Sequence, residues 1–226
     1  MAVRAETSSE SGCYDIVGRE AMKSKGKVDS IRKVRRDGSI EWRNKKGELH
    51  REDGPAREWP AKNARAWYRN GKLHREDGPA SEGPLGRIWH LNGKKHRVDG
   101  PAVELADGSK QWFWHGKLHR EDGPAEEGSD GRTSWYRHGR LHREDGPAAE
   151  EPEGRFWYRN GKRHRGDGPA IERADGTTEW YIKGVQLSPE QIRAVMKKNS
   201  DKAVEPFLKG LDHEVTLSRL MKLKKP

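Results

Sequence analysis

The stretch His119–Ala125 reads His-Arg-Glu-Asp-Gly-Pro-Ala, and this phrase decides the fold because the chain repeats it. The pattern His-Arg-x-Asp-Gly-Pro-Ala occurs six times and begins at His50, His74, His96, His119, His142 and His164. A tryptophan follows nearly the same period, at Trp42, Trp67, Trp89, Trp112, Trp135, Trp157 and Trp180. A fixed period of this length indicates a repeat array, in which each unit buries its apolar surface against its neighbours. We therefore expect one surface built from near-identical units, which favours binding over catalysis.

The composition favours a thin core. Only 31% of the 226 residues are hydrophobic and 36% are charged, which is less apolar material than one globular core of this length needs. The single Cys13 excludes an internal disulfide and agrees with a reducing compartment. The sequence contains no apolar run long enough to span a membrane and no signal-peptide pattern at its N-terminus. We expect a soluble, cytoplasmic protein.

The net charge of +10 is unevenly distributed along the chain. Residues 1–41 carry +2, residues 42–182 carry +3 and residues 183–226 carry +5. The repeats are therefore nearly neutral, and they do not clearly show the concentrated basic stripe that is typical of a phosphate-binding surface.

One repeat, residues 101–123, predicts a pair of short antiparallel strands. Asp107-Gly108 is a strong signal for a two-residue hairpin turn with positive φ at both positions. The following segment, Ser109–Trp114, predicts a second strand with Trp112 and Trp114 on one face and Phe113 on the other. The next turn has His115-Gly116 where other repeats have Asn-Gly, and Asn and His both tolerate the left-handed region.

These signals together predict a mainly β fold. We expect an elongated, single-layer antiparallel meander of six hairpin repeats of about 23 residues, with roughly two strands to a repeat and a C-terminal helical cap. The expected organisation is a disordered leader over residues 1–30, the array over residues 31–187, and a helical cap with a basic tail over residues 188–226.

The repeat resembles the MORN repeat, especially its diverged bacterial and viral variants. The resemblance covers Asp37 to Gly184 and rests on the period, on the aromatic residue before the Asn-Gly turn, and on the Gly-Lys-x-His step. The chain departs from the family in its phrase His-Arg-x-Asp-Gly-Pro-Ala, where the common MORN unit has a shorter His-Gly-x-Gly. The resemblance implies an elongated, curved antiparallel sheet that acts as a protein-interaction or lipid-associated scaffold without enzyme chemistry of its own.

Two rows of aromatic residues are candidate binding surfaces. A single-layer sheet has two faces that cannot both be buried, so one row is expected to form a groove for a peptide or an amphipathic helix. The sequence leaves open which row this is. The candidates are Trp89, Trp112 and Trp135 in one row and Tyr68, Phe113, Tyr136, Tyr158 and Tyr181 in the other.

The polar residues of the repeated phrase predict a structural role. Recurrence in every unit favours a turn in which Asp caps its own loop, Arg pairs with an acid of a neighbouring repeat, and His bonds a carbonyl. The residues on which this rests are His74, Arg75, Asp77, His119, Arg120, Asp122, His142, Arg143 and Asp145.

Metal and catalytic sites are not expected, and no cofactor is predicted. The pairs His115/His119 and His138/His142 imitate the i, i+4 ligand spacing of a zinc helix, but Gly116 and Gly139 place them in hairpins. No Ser or Cys recurs beside a His-Asp pair, so nucleophilic catalysis has no support in the sequence.

The C-terminal region predicts a capped helix. Ser188-Pro189-Glu190-Gln191 has the form of a capping box with proline in the first turn. Ile192, Val195 and Met196 follow as an apolar stripe. A second segment past Pro206 ends in Lys222, Lys224 and Lys225, and is either a cap helix with a solvated end or a cationic segment for an anionic partner.

The function expected from the sequence is that of a non-enzymatic scaffold. It would bind a protein partner of unknown identity along an aromatic sheet face, as an inhibitor or an adaptor. The alternative is a binder of anionic lipid or nucleic acid that acts through the basic tail.

Overall fold

The computed structural model describes residues 30–198, and the chain divides between Lys94 and Lys95 into two compact units. The predicted disordered leader and the basic tail with Lys222, Lys224 and Lys225 lie outside these residues. The apolar segment past Pro206 also lies outside them.

The described residues form short strands and one α-helix. The first ten strands are β1 (Ile31–Val34), β2 (Ile40–Arg43), β3 (Arg57–Trp59), β4 (Ala64–Ala66), β5 (Tyr68–Arg69), β6 (Lys72–Leu73), β7 (Ser81–Gly83), β8 (Gly86–Ile88), β9 (His90–Leu91) and β10 (Lys94–Lys95). The next eight are β11 (Val103–Leu105), β12 (Lys110–Gln111), β13 (Phe113–Trp114), β14 (Lys117–Leu118), β15 (Glu126–Glu127), β16 (Thr133–Ser134), β17 (Tyr136–Arg137) and β18 (Arg140–Leu141). The chain continues with β19 (Ala149–Glu151), β20 (Gly154–Phe156), β21 (Tyr158–Arg159), β22 (Lys162–Arg163), β23 (Ile171–Arg173), β24 (Thr178–Glu179), β25 (Tyr181–Ile182), β26 (Val185–Gln186) and α1 (Pro189–Lys198).

The strands belong to two kinds of sheet. In the first unit β1, β2, β3, β4, β7 and β8 form an antiparallel sheet in chain order, and in the second unit β11, β12, β15, β16, β19, β20, β23 and β24 do the same. The remaining strands pair with their chain neighbours as separate two-stranded hairpins, β5–β6, β9–β10, β13–β14, β17–β18, β21–β22 and β25–β26. The predicted antiparallel meander of hairpin repeats with a helix at its C-terminal end is confirmed.

Each full repeat gives the main sheet the expected two strands and adds a separate hairpin of two more short strands. The predicted strand Ser109–Trp114 is split at Trp112, which lies between β12 and β13. The Trp112 N–H donates to the carbonyl of Ala125 at 2.8 Å, whereas the Trp112 carbonyl accepts from the N–H of His119 at 3.0 Å. Because its two backbone groups bond to different segments, the tryptophan ends the main-sheet strand and begins the small hairpin.

The buried apolar residues are mostly small. The alanine that ends each motif is completely buried in all six repeats, at Ala56, Ala80, Ala102, Ala125, Ala148 and Ala170. Larger buried residues such as Trp42, Val103, Ile171, Trp180 and Ile182 supplement them. The core is therefore thin, as the low apolar content predicted.

The turn of each small hairpin has the left-handed conformation expected from its sequence. Its first residue has φ between 49° and 52° in all six hairpins, at Asn70, Asn92, His115, His138, Asn160 and Lys183. In contrast, at Asp107-Gly108 only the glycine has positive φ, 92°, so the two-residue turn predicted there was wrong. The Leu105 N–H donates to Ser109 O and the Gly108 N–H to Leu105 O, which makes a three-residue loop with glycine at the left-handed position.

Opposite charges alternate across the main sheets. Glu104 faces Lys110, which in turn faces Glu127 across the next strand pair. Arg155 lies between Glu150 and Glu172 in the same way. Opposite-charge cross-strand pairs stabilise an antiparallel sheet, and they account for much of the charge that the composition shows.

The capping box of α1 is confirmed. The Ser188 N–H donates to Gln191 Oε1 at 2.8 Å, and the Gln191 N–H reaches back to Ser188 Oγ at 3.4 Å. Ile192 and Val195 of the predicted apolar stripe are half-buried. Met196 is 55% exposed, so it does not complete that stripe.

Candidate functional site

The arginine of the repeated motif lies over the tryptophan eight or nine residues before it. Its Cζ atom is 4.0 to 4.2 Å from the centre of the indole in the pairs Arg51–Trp42, Arg75–Trp67, Arg120–Trp112, Arg143–Trp135 and Arg165–Trp157. A guanidinium at this distance is held by the negative face of the ring. Each of these tryptophans is therefore covered on one face by a charged side chain.

The glycine of the motif is explained by the same arginine. A Cβ atom on Gly123 would lie 2.9 Å from Arg120 Cζ, and one on Gly146 would lie 2.9 Å from Arg143 Cζ. The motif glycines do not have positive φ, so it is the close approach of the guanidinium that requires glycine. The guanidinium thus packs against the tryptophan ring and against the glycine backbone.

Each motif arginine is also tied by hydrogen bonds. Arg120 Nε donates to Asp122 Oδ1 at 2.9 Å, and Nη1 donates to Pro124 O at 3.3 Å and to Glu127 Oε1 at 2.9 Å. The Arg120 hydrogen bond and charge lower the pKa of Asp122. Arg143 and Arg165 repeat the pattern. The prediction that Asp only caps its own turn was therefore incomplete, because Asp also fixes the guanidinium over the tryptophan.

The motif histidine joins one repeat to the next, and the expectation that it bonds a carbonyl was wrong. Its Nδ1 accepts the N–H of the next left-handed turn residue at 3.1 to 3.3 Å in the pairs His50–Asn70, His74–Asn92, His96–His115, His119–His138, His142–Asn160 and His164–Lys183. The imidazole can accept at Nδ1 only when that atom carries no proton. Where a glutamate follows, it stands near Nε2, as Glu76 does at 3.1 Å from His74.

The paired histidines are placed for stacking. The rings of His96 and His115 have centroids 4.4 Å apart, and those of His119 and His138 are also 4.4 Å apart. Both i, i+4 histidine pairs of the sequence lie in hairpins, since their first members are the turn residues before β14 and β18. Within residues 30–198, no group of three or more His, Cys, Asp or Glu side chains is placed to hold a metal ion.

Open polar clefts separate consecutive motifs in the second unit. A cleft of about 580 Å³ lies between the His119 and His142 motifs, and one of about 360 Å³ lies between the His142 and His164 motifs. Their walls carry the exposed acids Glu121, Asp122, Glu144, Asp145 and Asp167. Trp135 and Trp157 line them beneath their arginines.

The two candidate aromatic rows differ in what they offer a ligand. Trp112 and Trp135 are half-buried and covered by arginine, and Trp89 is half-buried. The second row begins the small hairpins and faces the following strand, in the pairs Tyr68–Leu73, Phe113–Leu118, Tyr136–Leu141, Tyr158–Arg163 and Tyr181–Gln186. All five of its aromatic residues are half-buried.

Neighbouring charges fix several hydroxyl groups of this second row. Burial, and then the charge of Glu126, raise the pKa of Tyr136. Arg163 donates to the hydroxyl oxygens of Tyr158 and Tyr181 at 3.4 Å, and so links two successive repeats. The Tyr181 hydroxyl donates to Glu179 at 2.8 Å. The row is thus a set of pre-ordered aromatic groups at the same position of successive repeats.

A third set of residues was not singled out from the sequence. It consists of Trp114, Lys117, Arg137, Arg140, Arg159 and Lys162, which lie on one face of the small hairpins. The sequence contains a signal for this set, because a Lys or Arg follows the glycine of each of these turns. Averaging charge over the whole array concealed it, because the acids of the motifs cancel these cations in the sum.

These features define a β-hairpin repeat array whose repeats are joined by histidine and arginine contacts. No protein-family model matches the chain, and no curated protein matches it. In the part of the chain that the structure covers, no helix has the length and apolar character needed to cross a membrane.

Proposed function

We propose that the protein is a non-enzymatic, MORN-like repeat scaffold that binds a protein partner along the aromatic row of the second unit, Phe113, Tyr136, Tyr158 and Tyr181. The observation that carries this proposal is the contrast between the two aromatic rows. Arginine lies 4.0 to 4.1 Å from the ring centres of Trp112 and Trp135 in the first row. In the second row the cations stand farther from the rings, with Lys95 4.7 Å from the centre of Phe113 and Arg163 5.2 Å from that of Tyr181. Aromatic side chains held rigidly at a surface are effective anchors for protein partners.

Affinity in such a surface comes from several repeats at once. One aromatic group contributes a modest part of the binding free energy, because the same contact recurs one repeat further along the array. This distributed arrangement suits an adaptor or an inhibitor that engages an extended segment or an amphipathic helix. A surface of equivalent repeats does not favour an active site, because an active site would need residues in one repeat that the other repeats lack.

The test starts with the full-length chain used as bait, followed by calorimetry with the identified partner. We expect Tyr136→Ala to weaken binding about three- to tenfold, at the lower range of interface truncations. The matched control is Arg155→Ala, an exposed main-sheet residue, which should leave the affinity unchanged. Loss of all binding from Tyr136→Ala alone would contradict a distributed surface.

A deletion distinguishes a distributed surface from a single site. Removing residues 120–164 joins His119 to Arg165 and so keeps an intact motif while taking out Tyr136 and Tyr158. We expect this deletion to abolish measurable binding while the far-UV signal of folded β-structure remains. Equal loss of affinity from the deletion and from Tyr136→Ala would indicate one discrete site instead.

A further inference from the structure

Three hairpins of the second unit present cations and planar groups on a common face. Trp114 is paired with Lys117, Arg137 with Arg140, and Arg159 with Lys162. Residues directly opposite each other in an antiparallel pair project from the same face. We call this set of six residues the basic hairpin face.

Like charges oppose each other in two of these hairpins. Arg137 faces Arg140, and Arg159 faces Lys162. Such pairs destabilise a hairpin when no anion neutralises them. The same arrangement occurs in the first unit, where Arg69 faces Lys72 and forms an ion pair with Glu76 at 3.3 Å, whereas main-sheet pairs such as Glu104–Lys110 are opposite in sign.

The cations on the second strand of each hairpin are available to a ligand. Lys117, Arg140 and Lys162 are exposed, and no ion pair engages them within residues 30–198. The turn glycine of the next hairpin lies beside each of these side chains. A Cβ atom built on that glycine would be 3.5 to 3.6 Å from the Cβ atom of the cation. The aliphatic part of each side chain therefore packs against the next turn, and the three side chains follow one another at intervals of one repeat. Arg137 lines a cleft with the motif acids, whereas these three do not.

Planar groups accompany the cations. Trp114 is 41% exposed, the most exposed tryptophan among the large apolar residues described. The Trp114 ring makes edge-to-face contacts with the rings of His96 and His115, with centroids 4.7 and 5.0 Å apart. Arg137 occupies the same position in the next hairpin and is exposed. Aromatic rings and guanidinium groups are the surfaces on which unpaired bases stack.

We propose that the basic hairpin face binds single-stranded nucleic acid. Lys117, Arg140 and Lys162 contact phosphates of the backbone, and Trp114 stacks on a base. The repeats advance by two sheet strands, or about 10 Å, from one cation to the next, which a flexible single strand can follow. An acidic protein segment satisfies the cations but gives Trp114 no flat partner, so the tryptophan favours nucleic acid. This face is separate from the Tyr136 row, because Tyr136 faces Leu141 whereas Arg137 faces Arg140.

The experiment measures fluorescence anisotropy of a labelled oligothymidylate of about 20 nucleotides with the full-length protein over a series of salt concentrations. We expect K117Q/R140Q/K162Q to weaken binding at least tenfold. Each neutralised phosphate contact changes the slope of log K against log salt by about 0.7, so the slope should fall by about 2. The charge-matched control K45Q/K46Q/K62Q removes three exposed lysines outside this face and should bind with the wild-type salt slope.

Two further variants separate the sources of binding. Trp114→Ala should weaken binding about tenfold with an unchanged salt slope, and the oligonucleotide should quench tryptophan fluorescence in the wild type but less in this variant. K222Q/K224Q/K225Q should keep the affinity within a factor of about three of the wild type. Circular dichroism of each variant checks that the β-structure is retained.

Defined outcomes overturn the proposal. Wild-type affinity of folded K117Q/R140Q/K162Q, or loss of all binding in K222Q/K224Q/K225Q, would place the nucleic-acid contacts elsewhere. Displacement of the oligonucleotide by equimolar polyglutamate, with recovery of tryptophan fluorescence, would show an acidic segment to be the ligand. Tyr136→Ala tests whether the two proposed surfaces are independent. It should weaken binding of the protein partner and leave oligonucleotide binding intact.

Discussion

At the scale of the residue, one arginine organises each motif. Arg120 contacts the Trp112 ring, the Asp122 carboxylate, the Pro124 carbonyl and the backbone at Gly123. The order of residues in the motif follows from these contacts, because each partner must reach the same guanidinium. A lysine could not replace it, since an ammonium has neither the plane for stacking nor the fork of donors.

The close approach of Arg120 to Gly123 predicts the effect of one added methyl group. Gly123→Ala would place a Cβ atom 2.9 Å from Arg120 Cζ. The guanidinium must then move off the tryptophan and lose alignment with Asp122. We expect the free energy of unfolding to fall by about 1–3 kcal/mol, measured by urea denaturation followed by circular dichroism.

A double-mutant cycle tests the cause of that loss. In an Arg120→Ala background the clash is absent, so adding Gly123→Ala should cost little further stability, and the coupling between the two changes should exceed about 0.5 kcal/mol. Additive effects would show that Gly123 is required for some reason other than the arginine.

At the scale of the element, the sequence predicted the small hairpin turns well and the strands less well. The left-handed residues Asn70 and His115 were predictable because Asn-Gly and His-Gly need only local conformation to be understood. The break at Trp112 was not predictable, since it depends on a hydrogen bond to Ala125, thirteen residues away. A continuous run of strand-forming residues gives no sign of such a break.

The candidate sites show the same division. The aromatic rows follow from the period alone, and the structure adds how closely a cation approaches each ring. The acceptor role of His119 toward His138 could not be read from the sequence, because the two residues belong to different repeats. The basic hairpin face escaped detection because charge was averaged over the whole array, although the two-residue turn His138-Gly139 already puts Arg137 opposite Arg140.

The last hairpin turn predicts a stabilising substitution. Lys183 has φ of 51°, a conformation that costs most residues roughly 1–2 kcal/mol but that asparagine adopts routinely. Lys183→Asn should therefore raise the free energy of unfolding by about 0.5–1 kcal/mol. Its N–H donates to His164 through the backbone and is kept in the variant.

A matched lysine supplies the control for this substitution. Lys162 lies in a strand of the preceding hairpin and does not have positive φ. Lys162→Asn should give no increase in stability, because asparagine is a poor strand former. If both variants were stabilised equally, removal of positive charge would be the cause and not turn conformation.

At the scale of the whole molecule, neighbouring repeats within each unit are held together by a recurring set of bonds. The turn glycine donates to a carbonyl of the previous hairpin, as Gly139 does to Leu118 at 2.7 Å, and the motif arginine N–H donates forward, as Arg120 does to Tyr136 at 3.2 Å. The histidine Nδ1 contact is the third bond of this set. It alone depends on the protonation state of a side chain.

This dependence predicts that acid loosens the junctions of the second unit. Burial, and then the charge of His115, lower the pKa of His96, and burial followed by the charge of His138 lowers the pKa of His119. Glu121 opposes the shift at His119, and Arg137 adds to it. A histidine with a lowered pKa in the folded state binds protons more readily when unfolded. Its stabilising contribution is therefore present above the unfolded pKa of about 6.5 and is lost as pH falls through that value toward the folded pKa.

We expect the free energy of unfolding to decrease by about 1 kcal/mol for each such junction between about pH 7.5 and about pH 5.5, as the Nδ1 hydrogen bond is lost. The carboxylates Asp99 and Asp122 also have lowered pKa values, but their contribution is lost only below the ordinary carboxylate range of about pH 4 and leaves this window unaffected. Urea unfolding of the wild type and of H96Q/H119Q at both pH values makes the comparison. The glutamine oxygen can accept the same N–H without titrating, so the variant should show a smaller pH dependence than the wild type. An equal decrease in both proteins would assign the acid sensitivity to groups other than these two junction histidines.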